Sequence, residues 1–261
     1  MRIPRIYQPI PLICGQTVEC DAQATVYLTK VLRLKTGADL VVFNGEGGEF
    51  RARVGAVGRR SASIDIGEFV QRETESPLEL TLLQGVSRGE RMDYTVQKAV
   101  ELGVAHITPV VTERTVVNLK GDRLVKRRDH WQAIVNSACE QSGRNRVPIV
   151  AAIQPFTAVM KESAQTLAED KHALTLVLHH RAEASLDDLP IPQGPVSLLI
   201  GPEGGLSDGE IATAEAAGFV PVKLGPRVLR TETAALVALS VLQWLWGDLA
   251  VSDAAALSVR E

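Results

Sequence analysis

From Leu78 onward, short apolar runs alternate with stretches of helical periodicity, and this alternation restricts the fold more than any residue count does. Strands are expected at 79–83, 106–111, 148–153, 174–178, 196–200 and 219–224. Between them, Met92, Val96 and Val100 share a helical face that Gly103 stops. Trp131, Ile134, Val135 and Ala138 share another, and a third helix runs over about 156–167. Strands kept apart by helices cannot pair as hairpins, so the sheet is mostly parallel with helices on both faces. Ligands of such sheets sit beyond the strand C-termini, which directs attention to whatever follows each strand.

Residues 1–72 read differently. Segments 40–43 and 49–54 flank Asn44-Gly-Glu-Gly-Gly48, good hairpin punctuation, and 62–66 alternates as a third strand. Asp21 is placed to cap a helix in which Ala24, Tyr27, Leu28, Val31 and Leu32 share one face. These residues predict a small barrel with one helix. The polar stretch 71–77 reads as a linker, so two domains are expected, 1–72 and 73–261.

Composition narrows the class. The most apolar run, 234–246, is broken by Ser240 and Gln243 and falls short of the roughly 20 residues a membrane span needs. It reads as a buried helix, and a subunit interface is one way to bury it. The opening Met-Arg-Ile-Pro-Arg-Ile-Tyr lacks an apolar signal core, so a cytoplasmic protein with no membrane association is expected. Three cysteines (Cys14, Cys20, Cys139) and five histidines match no disulfide framework and no zinc spacing, so no metal is expected. The net charge of −3 hides an asymmetry. Residues 1–150 hold 21 Lys and Arg against 17 Asp and Glu (+4), and the remainder 7 against 14 (−7). A basic front half suits a phosphate-bearing partner even where the total is acidic.

Two loops carry the candidate chemistry. The apolar strand 196–200 opens into Gly201-Pro-Glu-Gly-Gly205, and Ser207 with Glu210 forms a capping-box signature for the next helix. Three glycines let backbone groups approach a ligand closely, and a helix start favours anions. The loop is neither GxGxxG nor GxxxxGK[ST], which sets aside dinucleotide and nucleotide-hydrolysing readings. The strand at 219–224 opens into Gly225-Pro-Arg-Val-Leu-Arg230, then Thr231, a natural N-cap, and Glu232. Arg227 and Arg230 precede a helix start, whose positive end repels them. A site that grips phosphate accounts for that cost, and a salt bridge to Glu203 or Glu232 is the simpler alternative.

Gly201-Pro-Glu-Gly-Gly-Leu-Ser-Asp-Gly-Glu210 followed by Leu224-Gly-Pro-Arg-Val-Leu-Arg-Thr-Glu-Thr-Ala234 strongly resembles the RsmE family, the 16S rRNA uracil-N3 methyltransferases of the SPOUT superfamily. Lys98-Ala-Val-Glu-Leu-Gly103, Thr112-Glu-Arg114 and Glu140-Gln-Ser-Gly-Arg144 resemble its middle segments. Residues 1–7, Val31-Leu-Arg-Leu34 and the Gly45 hairpin resemble its N-terminal domain. One departure is the stretch 24–30, where the family pattern carries histidine and this chain has none.

The resemblance implies an α/β fold. A PUA-like RNA-binding β-barrel would occupy 1–72, and a SPOUT domain with a parallel sheet and trefoil knot 73–261. It implies S-adenosylmethionine (AdoMet) as cofactor, 16S rRNA within the small ribosomal subunit as partner, and a homodimer. The cofactor pocket would be formed by His179, Ile200, Gly201, Gly205, Leu224, Gly225, Val228, Leu229 and Thr233. Arg230 is the first choice for stabilising charge on the uracil oxygens and Arg227 the second; neither Glu203 nor Glu232 is assigned as a base. RNA grip would come from Arg2, Arg5, Lys30, Arg33, Lys35, Arg51, Arg53 and Arg144, with further cations at Lys120–Arg128 and at Arg146. The alternatives are a non-catalytic RNA-binding assembly factor that keeps the fold, or a SPOUT enzyme acting on ribose 2′-O or on tRNA.

Overall fold

The protein is described from a computed structural model over residues 3–58, 61–117 and 121–250. The chain divides into two units, Met1–Glu75 with Asn136–Val147, and Ser76–Val135 with Pro148–Glu261.

The first unit is built on β1 (Arg5–Tyr7), β2 (Thr17–Glu19), β3 (Asp39–Phe43), β4 (Glu49–Val57) and β5 (Ala62–Val70), in the sheet order β1-β3-β4-β5-β2. β1 runs parallel to β3, and the other pairs are antiparallel. The expected β3–β4 hairpin is present; Gly45, Gly47 and Gly48 adopt φ of 89, 102 and 66°, which side chains resist. Alternation along β4 buries Phe50, Ala52 and Val54 with Ile6, Leu40 and Ile64, and turns Arg51 and Arg53 outward. There Arg51 meets Glu68 at 3.5 Å and Arg53 meets Asp39 at 3.1 Å.

Asp21 does cap α1 (Ala22–Val26), accepting the Ala24 amide at 2.7 Å. The helix then widens into a single π turn over Tyr27–Val31. The extra residue in that turn rotates Val31 to 62% exposure while Ala24 and Leu28 stay buried, so the expected single apolar face is split.

A buried ionic cluster corrects two further expectations. The Arg5 guanidinium pairs with Glu49 and donates to Asn145 Oδ1 at 2.6 Å and the Arg144 carbonyl at 3.2 Å. Arg72 reaches Glu49 at 3.0 Å, and Arg144 Nε donates to Glu75 at 3.0 Å. Burial alone would raise the Glu49 pKa, but the two arginines hold it below the usual carboxylate range. The Arg5 and Arg144 side chains are each 6% exposed, so neither reaches out to RNA phosphate as expected: buried charges need their partners, and these have them inside. Arg72 and Glu75 also fasten the polar stretch read as a linker onto the first unit.

The second unit holds β6 (Leu80–Gly85), α2 (Glu90–Glu101), β7 (His106–Val111), α3 (Asp122–Ser142, in this unit through Val135), β8 (Ile149–Val150) and β9 (Gln154–Pro155). Then come α4 (Phe156–Glu169), β10 (Leu174–Leu178), β11 (Val196–Ile200), α5 (Asp208–Ala216), β12 (Val220–Val222) and α6 (Thr231–Trp246). The sheet order is β12-β10-β11-β6-β7-β8, with β9 also on β7, and every pair is parallel. Neighbouring residues on opposite faces, Leu82 and Leu83, Leu176 and Val177, Leu198 and Leu199, are all buried, as a sheet covered on both sides requires. Two strands fall short of expectation. In 148–153 the Val150 amide donates to the Gln132 side chain at 2.9 Å, and in 219–224 Pro221 offers no donor.

From β6 the chain steps to β7 and β8 on one side, while β10, β11 and β12 lie on the other. The order therefore reverses between β6 and β11, the place where open parallel sheets hold ligands.

Candidate active site

Three segments that follow β10, β11 and β12 converge on one cavity of about 580 Å³ at the C-terminal edge of the sheet. Its wall includes Leu178 and His179 after β10, Ile200 to Leu206 after β11, and Leu224 to Arg230 with the exception of Pro226 after β12. Each segment arrives on a strand of the parallel sheet, so sheet register fixes where its loop begins.

The β11 loop is held from outside and left open within. Ser207 caps α5 as expected: its hydroxyl accepts the Glu210 amide at 3.2 Å, and Glu210 accepts the Ser207 amide at 2.9 Å. Glu210 also accepts the Glu113 amide at 2.8 Å, and Arg114 donates to the Gly204 carbonyl at 3.0 Å. Gly205 and Gly225 have φ of 68 and 64°, and a side chain at either would meet no atom within 4 Å. Both lie on the cavity wall, so their bare backbone faces open space.

Thr231 does not serve as the N-cap. Arg230 holds that position without a side-chain cap bond, and Thr231 is the first helical residue. Its buried hydroxyl instead donates to the Gly201 carbonyl at 2.6 Å and accepts from Gln84 at 3.0 Å. This tie joins β6, the β11 loop and α6 through one side chain. Thr233 stands exposed on α6 and does not line the cavity, so the threonine at the wall is Thr231.

Charge is distributed unevenly around the wall. Glu203 accepts the Arg88 amide at 2.8 Å and pairs with Arg91 at 3.1 Å. Burial would raise its pKa, but these donors hold it low. Glu232 also faces Arg91, at 3.9 Å. With both carboxylates turned to Arg91, no ion pair reaches Arg227 or Arg230 among the described residues. The simpler alternative for the two arginines, a salt bridge to Glu203 or Glu232, is therefore excluded, and both stand exposed at the cavity. His179 packs edge-on against His180 at 5.2 Å; burial first, then His180 and Arg181, lower its pKa.

Arg91, Arg114 and Gln84 carry no local signal that marks them for the site. Arg91 lies beyond β6 at the start of α2, so the post-strand rule that singles out the later loops finds it when extended to β6; Gln84 lies within the strand and the rule does not find it. Of the residues expected to grip RNA, Lys30, Arg33, Lys35, Arg51 and Arg53 are exposed in the first unit, and Arg2 lies outside the described residues. Arg33 is the one non-glycine residue with positive φ among the described residues, at 52°. Also among them, no three His, Cys, Asp or Glu side chains are grouped to hold a metal, and no helix is long and apolar enough to cross a membrane.

Known proteins resemble both units. A family described as an RNA methyltransferase domain matches residues 74–243, and one described as an RNA methyltransferase PUA domain matches 21–67. The ribosomal RNA small subunit methyltransferase E of Buchnera aphidicola (subsp. Schizaphis graminum) is 37% identical over 95% of this chain and 98% of its own length. The crystal structure of the enzyme of that name from Neisseria gonorrhoeae, bound to S-adenosyl methionine, superposes with a TM-score of 0.87 at 40% identity, covering 95% of this chain and all of its own. A Legionella pneumophila structure with SAM as bound cofactor gives 0.89 at 42% identity, again over 95% of this chain and all of its own.

Proposed function

The chain belongs to the ribosomal RNA small subunit methyltransferase E family, and from that premise we propose that it uses AdoMet to methylate N3 of a uridine in 16S rRNA at the cavity beyond β10, β11 and β12. The observation that carries the reading is the pairing, on one wall, of an open glycine backbone with two arginines that no carboxylate pairs among the described residues.

The residues present fit AdoMet. A volume of about 580 Å³ lies within the range of cofactor sites. Gly205 and Gly225 would present backbone to the adenosine, and Ile200, Leu224 and Leu229 would pack on its ring. The bound cofactor supplies an electrophilic methyl group on a sulfonium. Everything else falls to the protein and the uridine. The N3 proton must leave, and the imide anion that remains spreads its charge onto the flanking carbonyl oxygens. Arg230, whose backbone is extended at the N-cap of α6, would stabilise that charge, and Arg227, on the same cavity, would take a second oxygen or a phosphate. Arg91 holds Glu203 and Glu232 away from both arginines and so preserves their charge for substrate.

The test is transfer from methyl-labelled AdoMet to unmodified small subunits and to naked 16S rRNA in parallel, followed by nucleoside separation. Label in N3-methyluridine is expected. Label in a 2′-O-methylated nucleoside would overturn the chemistry, and neither label nor AdoMet binding would make the chain a non-catalytic RNA binder.

Two partner readings belong to the same proposal. RNA docks on the first unit through Lys30, Arg33 and Lys35, which are exposed with no ion pair among the described residues. Charge reversal at Arg33 and Lys35 together is expected to weaken rRNA binding tenfold or more, about 1.4 kcal/mol or above, without changing AdoMet affinity. Filter binding and calorimetry measure the two; unchanged RNA affinity would remove this surface from the docking site.

The chain also acts as a homodimer. On α6, Val237 and Trp244 are 39% and 60% exposed on one stripe, with Leu245 at 38% beside it and Tyr94 of α2 at 48%. Sedimentation is expected to give a dimer at micromolar concentration and a monomer for V237E/W244E; a monomeric parent chain would refute it.

A further inference from the structure

A second basic surface lies outside the cavity. Arg123, Lys126, Arg127 and His130 line a shallow groove of about 280 Å³ on α3. Their spacing of three, four and seven residues puts them on one helical face. Arg123, Lys126 and His130 are exposed and Arg127 is half-buried.

Three of these side chains carry charge that is not neutralised, and one of the three is steadied. Among the described residues, no carboxylate pairs with Arg123, Lys126 or Arg127; Asp129, next along the helix, pairs with Arg128. The acid packed against the groove is Asp93 of α2. Its two oxygens are taken by His130 Nε2 and Trp131 Nε1, each at 3.0 Å. Arg127 lies over the ring of buried Trp131, 5.9 Å from its centroid, which steadies its guanidinium. Arg123 stands in the first turn of α3, where the helix end is itself positive, and Lys126 and Arg127 follow one turn on. The arrangement costs stability in the free protein, and an anionic ligand would relieve it.

We propose that this groove binds the sugar–phosphate backbone of the substrate RNA as a second docking point, an inference that rests on the RNA methyltransferase reading above. Among the described residues, no apolar side chain lines the groove. A protein partner would need such an anchor at the centre of its interface, whereas a phosphate backbone needs only cations in a row. The cations recur along one face at the helical pitch, which suits a strand laid along the helix rather than a single ion.

The test uses the full chain and a 16S rRNA fragment that it binds. In lysine acetylation footprinting of the wild-type protein, RNA is expected to protect Lys126 and to leave exposed Lys161 and Lys171 reactive. For R123Q/K126Q/R127Q, the plot of log affinity against log salt is expected to flatten by about 2 to 3 units, at roughly 0.7–0.9 for each phosphate that is no longer neutralised. AdoMet affinity should not change. An unprotected Lys126, or an unchanged salt slope in a variant that still binds AdoMet, overturns the groove while methyl transfer by the wild type upholds the function. A wild-type chain that neither binds rRNA nor transfers methyl overturns both. Protection by polyglutamate in place of RNA would assign the groove to an acidic protein and overturn the proposal.

Discussion

Replacement of Arg230 by alanine is expected to lower kcat for methyl transfer by about two to three orders of magnitude, the usual consequence of removing one donor aimed at developing negative charge. The side chain stands exposed at the cavity, with no ion pair to lose among the described residues. Folding stability should therefore barely change, and calorimetry should give the parent AdoMet affinity. The split between kcat and KM separates the charge-stabilising role from simple docking. A guanidinium that only holds RNA would raise KM for the rRNA and spare the rate at saturation. R230K should recover part of the rate, since a point charge replaces a planar fork. A variant at parent kcat would dismiss Arg230 and move the role to Arg227.

The second large effect is expected from Gly85→Ala, a substitution that touches no ligand. Gly85 ends β6 directly beside the start of the β11 loop, because register places Ile200 opposite Gln84. A methyl group there would lie 2.6 Å from Pro202 Cδ and 2.7 Å from the Gly201 carbonyl carbon. Most of what it strikes is backbone, which cannot swing aside as a flexible side chain would. Overpacking of this kind costs about 1–3 kcal/mol of stability. Any relief must come from shifting Gly201 and Pro202, which line the cavity. AdoMet affinity is expected to fall tenfold or more, with a lowered melting temperature. Thermal melts and calorimetry on the purified variant measure both. A variant that loses stability but binds AdoMet at parent strength would show that the β11 loop keeps its shape without this close approach.

What the sequence discloses follows from which forces act locally. Strands 106–111, 174–178 and 196–200 are legible to the residue because each carries its own short run of apolar residues. The capping box at Ser207 is legible because it closes within four residues. Features set by distant partners are not. Thr231 reads as an N-cap in any local window, yet its hydroxyl is claimed by Gly201, 30 residues away. Arg5 and Arg144 read as surface cations because nothing nearby announces Glu49 or Glu75. The cavity is legible mainly through the resemblance of two motifs; spacing alone yields two glycine loops and no cofactor. Arg91 needs only the post-strand rule applied to β6.

The ionic cluster of the first unit bears on how the protein is made. Arg5 and Asn145 are 140 positions apart, and Arg144 reaches back 69 positions to Glu75. A nascent chain emerging at roughly 5–20 residues per second holds its first sheet, complete at Val70, for about 4–15 s before those partners exist. During that interval Glu75 has no Arg144 and Arg5 has no Asn145, so the ionic cluster closes only after the strands of the N-terminal sheet have been made. The usual order of biogenesis, one completed unit after another, is closed to this chain. More than half of the polypeptide must leave the ribosome before its opening residues can settle.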